Sequence, residues 1–469
     1  MSSAPPPVIV WFRRDLRIAD HPALAAAAQT GRPVIPVFVH DQAGPPRPLG
    51  AASAWWLDKS LKSLAAHFQR LGNRLILRRG DSRECLNQLI SQTGATAIYW
   101  NRLYDGDSIA RDTALKSDLT ARGVDARSFN GALLNEPWTI STGAGGPYRV
   151  FTPYWRAARA TAGDVAPLPA PEHLCPPTPF PPSDRLEDWG LHPRRPDWSG
   201  GFADWTPGEA GAAARLDTFL DGAAAHYVAA RNYPAVAGTS RLSPHLHFGE
   251  ISPRQVWAAA EAAALHGQAP VGQLEVFQKE LGWREFNHHL LFHFPHMTQR
   301  NFNPAFDDFP LQDDPEGLAA WQAGRTGYPI VDAGMRELWA TGWMHNRVRM
   351  IVASFLIKDL LIDWRAGEAW FWDTLVDADV ANNVANWQWT AGAGADAAPY
   401  FRVFNPTLQG EKFDPDGDYV RRWIPQLADL PSAYIHQPWR YVSTSDYPAP
   451  VVDHAAARDR ALAAYKSLK

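Results

Sequence analysis

Val8-Ile-Val-Trp-Phe12 is a five-residue apolar run, and Arg13-Arg14-Asp15-Leu16-Arg17 follows it directly. Four more short apolar runs recur in the first 135 residues, with helical stretches between them, at 34–39, 74–77, 97–100 and 126–129. Short strands that alternate with helices are typical of a doubly wound parallel sheet, whose strand carboxyl ends form a ligand crevice. Residues 1–135 are therefore predicted to form a Rossmann-like α/β domain. The arginine-rich run on its own is also compatible with a solvated turn.

Two further regions follow this domain. Residues 136–205 are predicted to be an interdomain linker, because eight prolines lie between positions 165 and 183 and such clusters favour an extended, semi-rigid chain. From residue 206 to 469 helical signals dominate. Ser252-Pro253 supplies an N-cap and a first-turn proline for a helix over 253–264, and Ser243-Pro244 repeats the pattern. The second domain is therefore predicted to be all-α.

Composition excludes several classes of protein. With 469 residues, 46% of them hydrophobic, the chain can bury two substantial cores. Its two cysteines, Cys85 and Cys175, form neither a disulfide framework nor a zinc pattern, which favours the reducing cytoplasm. No signal peptide opens the chain, and Lys358 and Asp359 interrupt the most apolar stretch, so we expect no membrane span. A net charge of −4 disfavours nonspecific coating of nucleic acid but allows a local basic patch.

Two stretches place aromatic and hydrogen-bonding side chains on one face of a predicted helix, since positions i, i+3, i+4 and i+7 share a face. The two sets are Glu280, Trp283, Arg284 and Asn287, and Trp343, Asn346, Arg347 and Met350. Either set alone could be a partly buried helix face capped by solvated charges. Together they have the composition of a pocket for a planar polar ligand, with aromatic walls, groups that hydrogen-bond its edge and arginines for phosphate.

Three motifs in a fixed order resemble a known family. They are the run at 8–17, Gly238-Thr-Ser-Arg-Leu-Ser-Pro244, and the stretch 377–406 that contains Asp377-Ala-Asp379 and Asn386-Trp-Gln-Trp389. The chain resembles the photolyase/cryptochrome family of flavoproteins along nearly its whole length, and most of all cyclobutane pyrimidine dimer photolyases of the class I/class III branch. The resemblance implies an antenna-binding α/β domain and a helical domain that binds FAD and DNA.

The implied activity is that of a deoxyribodipyrimidine photo-lyase, a carbon-carbon lyase. Excited, reduced FAD passes an electron to a pyrimidine dimer that has been flipped out of ultraviolet-damaged DNA, the cyclobutane splits, and the electron returns. The resemblance implies no metal, no membrane and no protein partner, and we expect a monomer.

The resemblance also assigns residues to each role. The lesion cavity is matched by Glu280, Trp283, Asn346, Met350 and Trp389. The noncovalent FAD site is matched by Tyr227, Thr239, Ser240, Arg241, Leu242, Ser243, Arg349, Asp377, Ala378, Asp379 and Asn383, with Arg349 expected to pair with Asp377. DNA-backbone contacts are matched by Arg231, Arg347 and Arg402, and electron transfer by Trp387 and Trp364. By itself, the run 239–243 would be an ordinary helix N-cap.

Asn383 distinguishes repair from the competing function, a cryptochrome-like blue-light receptor. It matches the position that faces flavin N5, where plant cryptochromes carry an aspartate. An amide suits the anionic reduced flavin needed for repair, whereas an acid can protonate the ring in signalling. Receptors also often add a long C-terminal extension, whereas this chain ends soon after the family's core. A flavin-bearing DNA-binding module without turnover is the third possibility.

Two sites depart from the family pattern, at three positions. Asn101 and Asp105 match an antenna site for a folate, but Thr298 and Gln299 replace the cysteine and lysine that accompany it. We expect 5,10-methenyltetrahydrofolate as antenna, with a deazaflavin or FMN as alternatives. The third electron-transfer tryptophan falls on Leu311, which cannot be oxidised at an accessible potential. We therefore expect a bypass through another aromatic, for which the candidates are Trp343, Trp370 and Trp372.

Two other motifs are not interpreted as sites. Gly392-Ala-Gly394-Ala-Asp-Ala397 fits a dinucleotide fingerprint, but it follows Asn386-Trp-Gln-Trp389 rather than a strand. His289, His293 and His296 have partial metal spacing, but Pro295 interrupts the helix before the third histidine.

Overall fold

A computed structural model describes residues 5–42, 47–161, 166–397, 401–441 and 446–468. The N-terminal domain contains a parallel sheet of five strands in the order β3-β2-β1-β4-β5. The strands are β1 (Val8–Phe12), β2 (Val34–Asp41), β3 (Ile76–Gly80), β4 (Ala97–Asn101) and β5 (Asp125–Phe129). This confirms the predicted doubly wound α/β domain. Strand β3 lies two to three residues beyond the apolar run at 74–77, because pairing with β2 rather than apolarity sets its limits.

Both faces of the sheet are covered. Val8, Val10 and Phe12 face one buried cluster, whereas Ile9 and Trp11 face another, as the two-residue period of a strand requires. The helices of this domain are α1 (Pro22–Ala28), α2 (Ala51–Arg70), α3 (Ser82–Thr93) and α4 (Gly106–Ala121).

The rest of the described chain is helical, which confirms the predicted all-α domain and adds one helix in the segment predicted as a linker. Its helices are α5 (Phe151–Thr161), α6 (Glu209–Asp221), α7 (Tyr227–Ala230), α8 (Ser243–His247), α9 (Pro253–Leu265), α10 (Val271–His293), α11 (Pro315–Gln322), α12 (Pro329–Thr341), α13 (Asn346–Ser354), α14 (Trp364–Thr374), α15 (Val380–Ala391), α16 (Pro406–Phe413), α17 (Asp418–Trp423) and α18 (His454–Ser467). None of the described helices is both long and apolar enough to span a membrane.

Helix α5 lies inside the segment predicted as a linker. Its residues Phe151, Tyr154 and Trp155 are buried in the core of the helical domain. Gly282 on α10 makes room for it, because a Cβ there would lie 2.4 Å from the Trp155 ring. In the described part of the proline-rich stretch, 166–183, the chain forms no helix or strand.

Two predicted helix starts need correction. The capping box of Ser252 and Gln255 opens α9 as predicted, but Ser243 is not an N-cap. Helix α8 begins at Ser243 itself, and the Ser243 hydroxyl donates to Asp377 Oδ2 at 2.5 Å. Trp343 likewise lies before α13, which His345 caps, because residue spacing does not reveal where a helix begins. The other predicted set, which runs from Glu280 to Asn287, does lie on one helix, α10.

Candidate functional site

A cavity of about 550 Å³ lies in the helical domain. It is lined by all the residues that the family resemblance assigns to FAD and to the lesion: Tyr227, Thr239, Ser240, Arg241, Leu242, Ser243, Glu280, Trp283, Asn346, Arg349, Met350, Asp377, Ala378, Asp379, Asn383 and Trp389. Arg231 and Arg347 of the predicted DNA contacts and Trp387 of the predicted electron-transfer pair line it too. Trp343, although it precedes its helix, lines the cavity too. A smaller cavity of about 380 Å³ beside Asn303 and Asp396 contains none of the predicted residues.

One end of the cavity carries charge pairs and hydroxyl groups. Arg349 donates from Nη1 and Nη2 to the two oxygens of Asp377 at 3.0 and 2.8 Å. This is the expected ion pair, and it is bidentate. The Arg241 guanidinium lies between the rings of Trp205 and Trp343, at 4.4 and 4.7 Å from their centroids. Its Nε is buried and has no hydrogen-bond partner within the described residues.

This end fits a phosphate-bearing cofactor. A buried donor without a partner costs about 1–3 kcal/mol, so the Arg241 site is built for a ligand that accepts a hydrogen bond. The hydroxyl groups of Thr239 and Ser240 line the same wall. The Arg241 cation and the hydroxyl donors of Thr239 and Ser240 are the kinds of group that bind a pyrophosphate.

Asp379 joins the two domains at the cavity. Its Oδ1 accepts from the Asn382 backbone N at 2.9 Å and so caps α15, while its Oδ2 lies 3.8 to 4.0 Å from His247, His288 and Arg14. Burial alone would raise the pKa of Asp379, but these neighbours hold it well below its usual value. Burial lowers the pKa of His288 to about 4, so its ring is neutral near pH 7. Arg14 stays positively charged at that pH and lies 4.0 Å from Asp379 Oδ2.

Asn383 is oriented by a residue that the sequence did not indicate. Its Nδ2 donates to Glu368 Oε1 at 2.8 Å and to the Glu368 backbone O at 3.1 Å. Since both amide hydrogens are used, Oδ1 is the polar atom left for the cavity. Glu368 lies on α14, fifteen positions before Asn383, and no spacing rule connects two residues on different helices.

The other end of the cavity has aromatic walls. Trp283 stacks on Phe151 of α5, with centroids 3.7 Å apart and planes 7° from parallel. Trp389 is fixed by the bond from its Nε1 to the Asp396 backbone O at 3.0 Å. These contacts hold the ring planes in place before any ligand arrives, which is the rigidity that a stacking site needs.

Two arginines stand beside this end. Arg231 Nη1 lies 2.5 Å from Glu280 Oε1, and Arg347 Nη2 donates to Asn232 Oδ1 at 2.7 Å. Arg347 Nη1 also approaches Met350 Sδ at 3.8 Å. A basic rim around an aromatic pocket combines phosphate binding with base stacking.

Four predicted site residues lie outside the cavity. Arg402 is exposed, and Trp364 donates from Nε1 to Asn301 Oδ1 at 2.9 Å. Asn101 is 2% exposed, and its amide bonds Asp15 Oδ2 and the Ala23 backbone N. Asp105 caps α4 by accepting from the Ser108 backbone N at 2.9 Å. The protein itself therefore bonds both ends of the Asn101 amide and one carboxylate oxygen of Asp105.

The tryptophans show which aromatics contact one another. Trp387 meets Phe371 and Trp321 edge-on, with centroids 5.0 and 6.2 Å away. Trp370 stacks on Trp339, which is 63% exposed, with centroids 5.9 Å apart. Leu311 is itself exposed at 45%.

Among the described residues no group of three or more potential ligands is arranged to hold a metal ion.

Comparisons with known proteins agree with this geometry. A family described as "DNA photolyase" matches residues 8–172, and one described as "FAD binding domain of DNA photolyase" matches residues 277–467. The chain is 52% identical to a deoxyribodipyrimidine photo-lyase of Agrobacterium fabrum, over 100% of this chain and 99% of the relative. It is 40% identical to cryptochrome-2 of Arabidopsis thaliana, over 96% of this chain and 77% of that protein. The crystal structure of a bacterial class III photolyase from Agrobacterium tumefaciens superposes with a TM-score of 0.96 at 52% identity, covering 100% of this chain and 98% of that one.

Proposed function

Because this chain belongs to the DNA photolyase and cryptochrome family, we propose that it is a deoxyribodipyrimidine photo-lyase that splits cyclobutane pyrimidine dimers in DNA with light. The observation that carries the proposal is a single cavity with a pyrophosphate-binding end and an aromatic end. FAD, held in its reduced form, supplies an electron when it is excited. The protein's task is to hold the cofactor and the lesion close together in a fixed orientation.

The aromatic end suits a dimer that has been flipped out of the duplex. Trp283 and Trp389 supply flat apolar surfaces, and Asn346 and Glu280 supply hydrogen-bonding groups for the edges of the bases. Arg231 balances the charge of Glu280, so the carboxylate does not face the incoming DNA unpaired. Glu280 and Asn346 can also stabilise charge that develops on the dimer, which is the electrostatic part of the catalysis.

At the cofactor end, the chain holds FAD without a covalent bond. Three kinds of group supply polar contacts there. They are the bidentate ion pair of Arg349 and Asp377, the hydroxyls of Thr239 and Ser240, and the Arg241 Nε, which has no partner among the described residues. The lining residues include no cysteine. Acid precipitation should therefore release the yellow chromophore into the supernatant, and flavin that stays in the pellet would contradict noncovalent binding.

DNA binding is proposed through the basic rim. Arg231 and Arg347 are placed beside the aromatic end, and Arg402 is exposed on the segment that follows α15. For the antenna we propose 5,10-methenyltetrahydrofolate, with a deazaflavin or FMN as alternatives. Because Asn101 and Asp105 are already bonded within the protein, we propose that the antenna sits elsewhere on the N-terminal domain. Chromatography of the acid-released chromophores identifies it.

A repair assay tests the proposed function. The purified holoprotein with reduced flavin is mixed with a duplex that contains one thymine dimer, and intact duplex is measured in light and in darkness. We expect repair only in light, with no net consumption of reductant. Flavin binding and damaged-DNA binding without light-dependent repair would overturn the proposal.

A blue-light receptor is the second candidate, and its support is the 40% identity to a plant cryptochrome. The amide of Asn383 at the cofactor disfavours it. Recovery of transformation by ultraviolet-irradiated plasmid DNA separates the two functions, because a receptor without repair activity leaves the plasmid damaged.

A further inference from the structure

Arg47 of the N-terminal domain contacts the carboxylate that orients Asn383. Its Nη1 lies 2.8 Å from both Oε1 and Oε2 of Glu368. The Arg47 guanidinium also lies 4.6 Å from the ring centroid of Trp372, one turn further along α14. A chain of three polar side chains thus runs from the N-terminal domain through Glu368 to the wall of the cavity.

The backbone around Arg47 is fixed against α14. Trp372 Nε1 donates to the Pro48 backbone O at 2.8 Å, and the Ala51 backbone N donates to Asp373 Oδ1 at 2.9 Å. Gly50 packs so closely that a Cβ there would lie 2.0 Å from the Trp372 backbone O. Arg47 therefore approaches Glu368 from an anchored segment, and it keeps a defined position although its side chain is 40% exposed.

This arrangement determines which atom of Asn383 meets a ligand. An asparagine amide has one donor end and one acceptor end, and Glu368 takes both hydrogens of the donor end. A carboxylate held by a guanidinium can only accept, so the amide cannot turn around without losing two bonds. Asn383 therefore presents Oδ1, an acceptor, to the cavity.

The contact also balances charge. Glu368 is mostly buried next to the cavity, and an unpaired carboxylate there would oppose the gain of negative charge by a cofactor on reduction. The Arg47 guanidinium offsets this charge at 2.8 Å. The orientation of Asn383 and the charge balance at Glu368 both act on the redox behaviour of the cofactor. Neither acts on the affinity of the protein for DNA.

We propose that Arg47 is a positioning residue for the flavin. Acting through Glu368, it keeps Asn383 Oδ1 turned to the cofactor and favours the reduced state, so that the N-terminal domain adjusts the redox behaviour of the helical domain. This inference rests on the proposed function, because it places the FAD ring beside Asn383.

The test compares four variants with wild type, all as FAD-loaded full-length proteins. They are Arg47→Ala, Arg47→Lys, Glu368→Gln and the double variant Arg47→Ala/Glu368→Gln. Asp373→Ala is the matched control, because it removes a neighbouring interdomain hydrogen bond and leaves Glu368 and Asn383 in place. The readouts are the flavin midpoint potential and the absorption spectrum during anaerobic illumination.

We expect Arg47→Ala to shift the reduction equilibrium about tenfold toward oxidised flavin, which is about 59 mV for a one-electron step. Arg47→Lys should restore part of the shift, because it keeps the charge. In the Glu368→Gln background the loss of Arg47 should have no further effect, since the charge that it balances is gone. Asp373→Ala should behave as wild type.

Three results would overturn the inference: a wild-type potential and spectrum in Arg47→Ala, an equal shift in Asp373→Ala, or an undiminished Arg47→Ala effect in the Glu368→Gln background. If Arg47→Ala binds too little FAD to be measured, Arg47→Gln, which removes the charge but keeps a long polar side chain, is compared with wild type under the same criteria. Failure of the proposed function is recognised separately, because wild type itself would then lack FAD or repair activity.

Discussion

Replacing Asn346 by alanine should weaken the discrimination between dimer-containing and undamaged DNA by about 1–3 kcal/mol. Asn346 is the first residue of α13, and its side chain lines the cavity close to Met350. Alanine would leave an edge group of the flipped dimer without its hydrogen-bond partner from the protein. At about 1.4 kcal/mol per factor of ten, the expected loss is about 5- to 150-fold in the ratio of the two affinities.

The neighbouring Arg347→Ala variant is the matched contrast. The Arg347 guanidinium lies 4.4 Å from the Phe413 ring centroid and bonds Asn232, so it stands at the rim where a phosphate would pass. A phosphate contact is the same on damaged and undamaged DNA. Arg347→Ala should therefore weaken both complexes alike and reduce the salt slope by about 0.9.

Gel-shift titrations at two salt concentrations distinguish these two roles. Asn346→Ala should weaken the damaged complex alone and leave the salt slope unchanged. Equal losses of affinity for damaged and undamaged DNA, or a flatter salt dependence, would refute the proposal that Asn346 hydrogen-bonds the flipped dimer. Circular dichroism and thermal unfolding of both variants check that the protein remains folded.

The remaining predictions concern Asn383, Trp387 and one buried carboxyl group. Asn383→Asp should change which one-electron-reduced flavin accumulates in light, because an acid replaces an amide at the cavity; unchanged spectra and lifetimes would exclude this role. Gly367→Ala should destabilise the fold by about 1–3 kcal/mol in denaturant titrations, since its Cβ would lie 2.1 Å from the Trp387 ring; wild-type stability would contradict the packing. Trp387→Phe should abolish light-driven flavin reduction, whereas Leu311→Trp should only speed it; wild type that photoreduces no better than Trp387→Phe would disprove a bypass. Burial raises the pKa of Glu285 to about 7 from 4.5, so its contribution to stability is full below pH 4.5 and is lost as the pH rises through 7. The stability of Glu285→Gln relative to wild type should therefore rise by about 3 kcal/mol between pH 4 and pH 8, and a constant difference would contradict the shift.

Local patterns in the sequence predicted the architecture well. The apolar runs were long enough to mark all five strands, and the family resemblance from three motifs is confirmed by both family matches. Helix α5 was missed because the prolines that follow it dominate that segment. Its apolar face, Phe151, Tyr154 and Trp155, is readable in retrospect at helical spacing.

The helix starts show where spacing stops being informative. Trp343 has the correct spacing to share a face with Asn346 and Met350, yet His345 caps the helix after it. Ser243 has the residue type and the proline of an N-cap, but its hydroxyl bonds Asp377, 134 positions away. In both cases a tertiary contact or a local cap decides the outcome, and neither is visible in a hydrophobic period.

Two contacts between the domains reach carboxylates beside the cavity from positions far away in sequence. Arg14 reaches Asp379 from the end of β1, and Arg47 reaches Glu368 across 321 positions. Every residue predicted for the FAD site belongs to the helical domain, because the motifs that match the site lie there. The packing of the two domains adds two positive charges from outside those motifs. Arg14 lies beside Asp379, which caps α15, and Arg47 lies beside Glu368, which bonds Asn383. We therefore expect that a substitution in the N-terminal domain alters the chemistry at the flavin without changing any residue that lines the cavity.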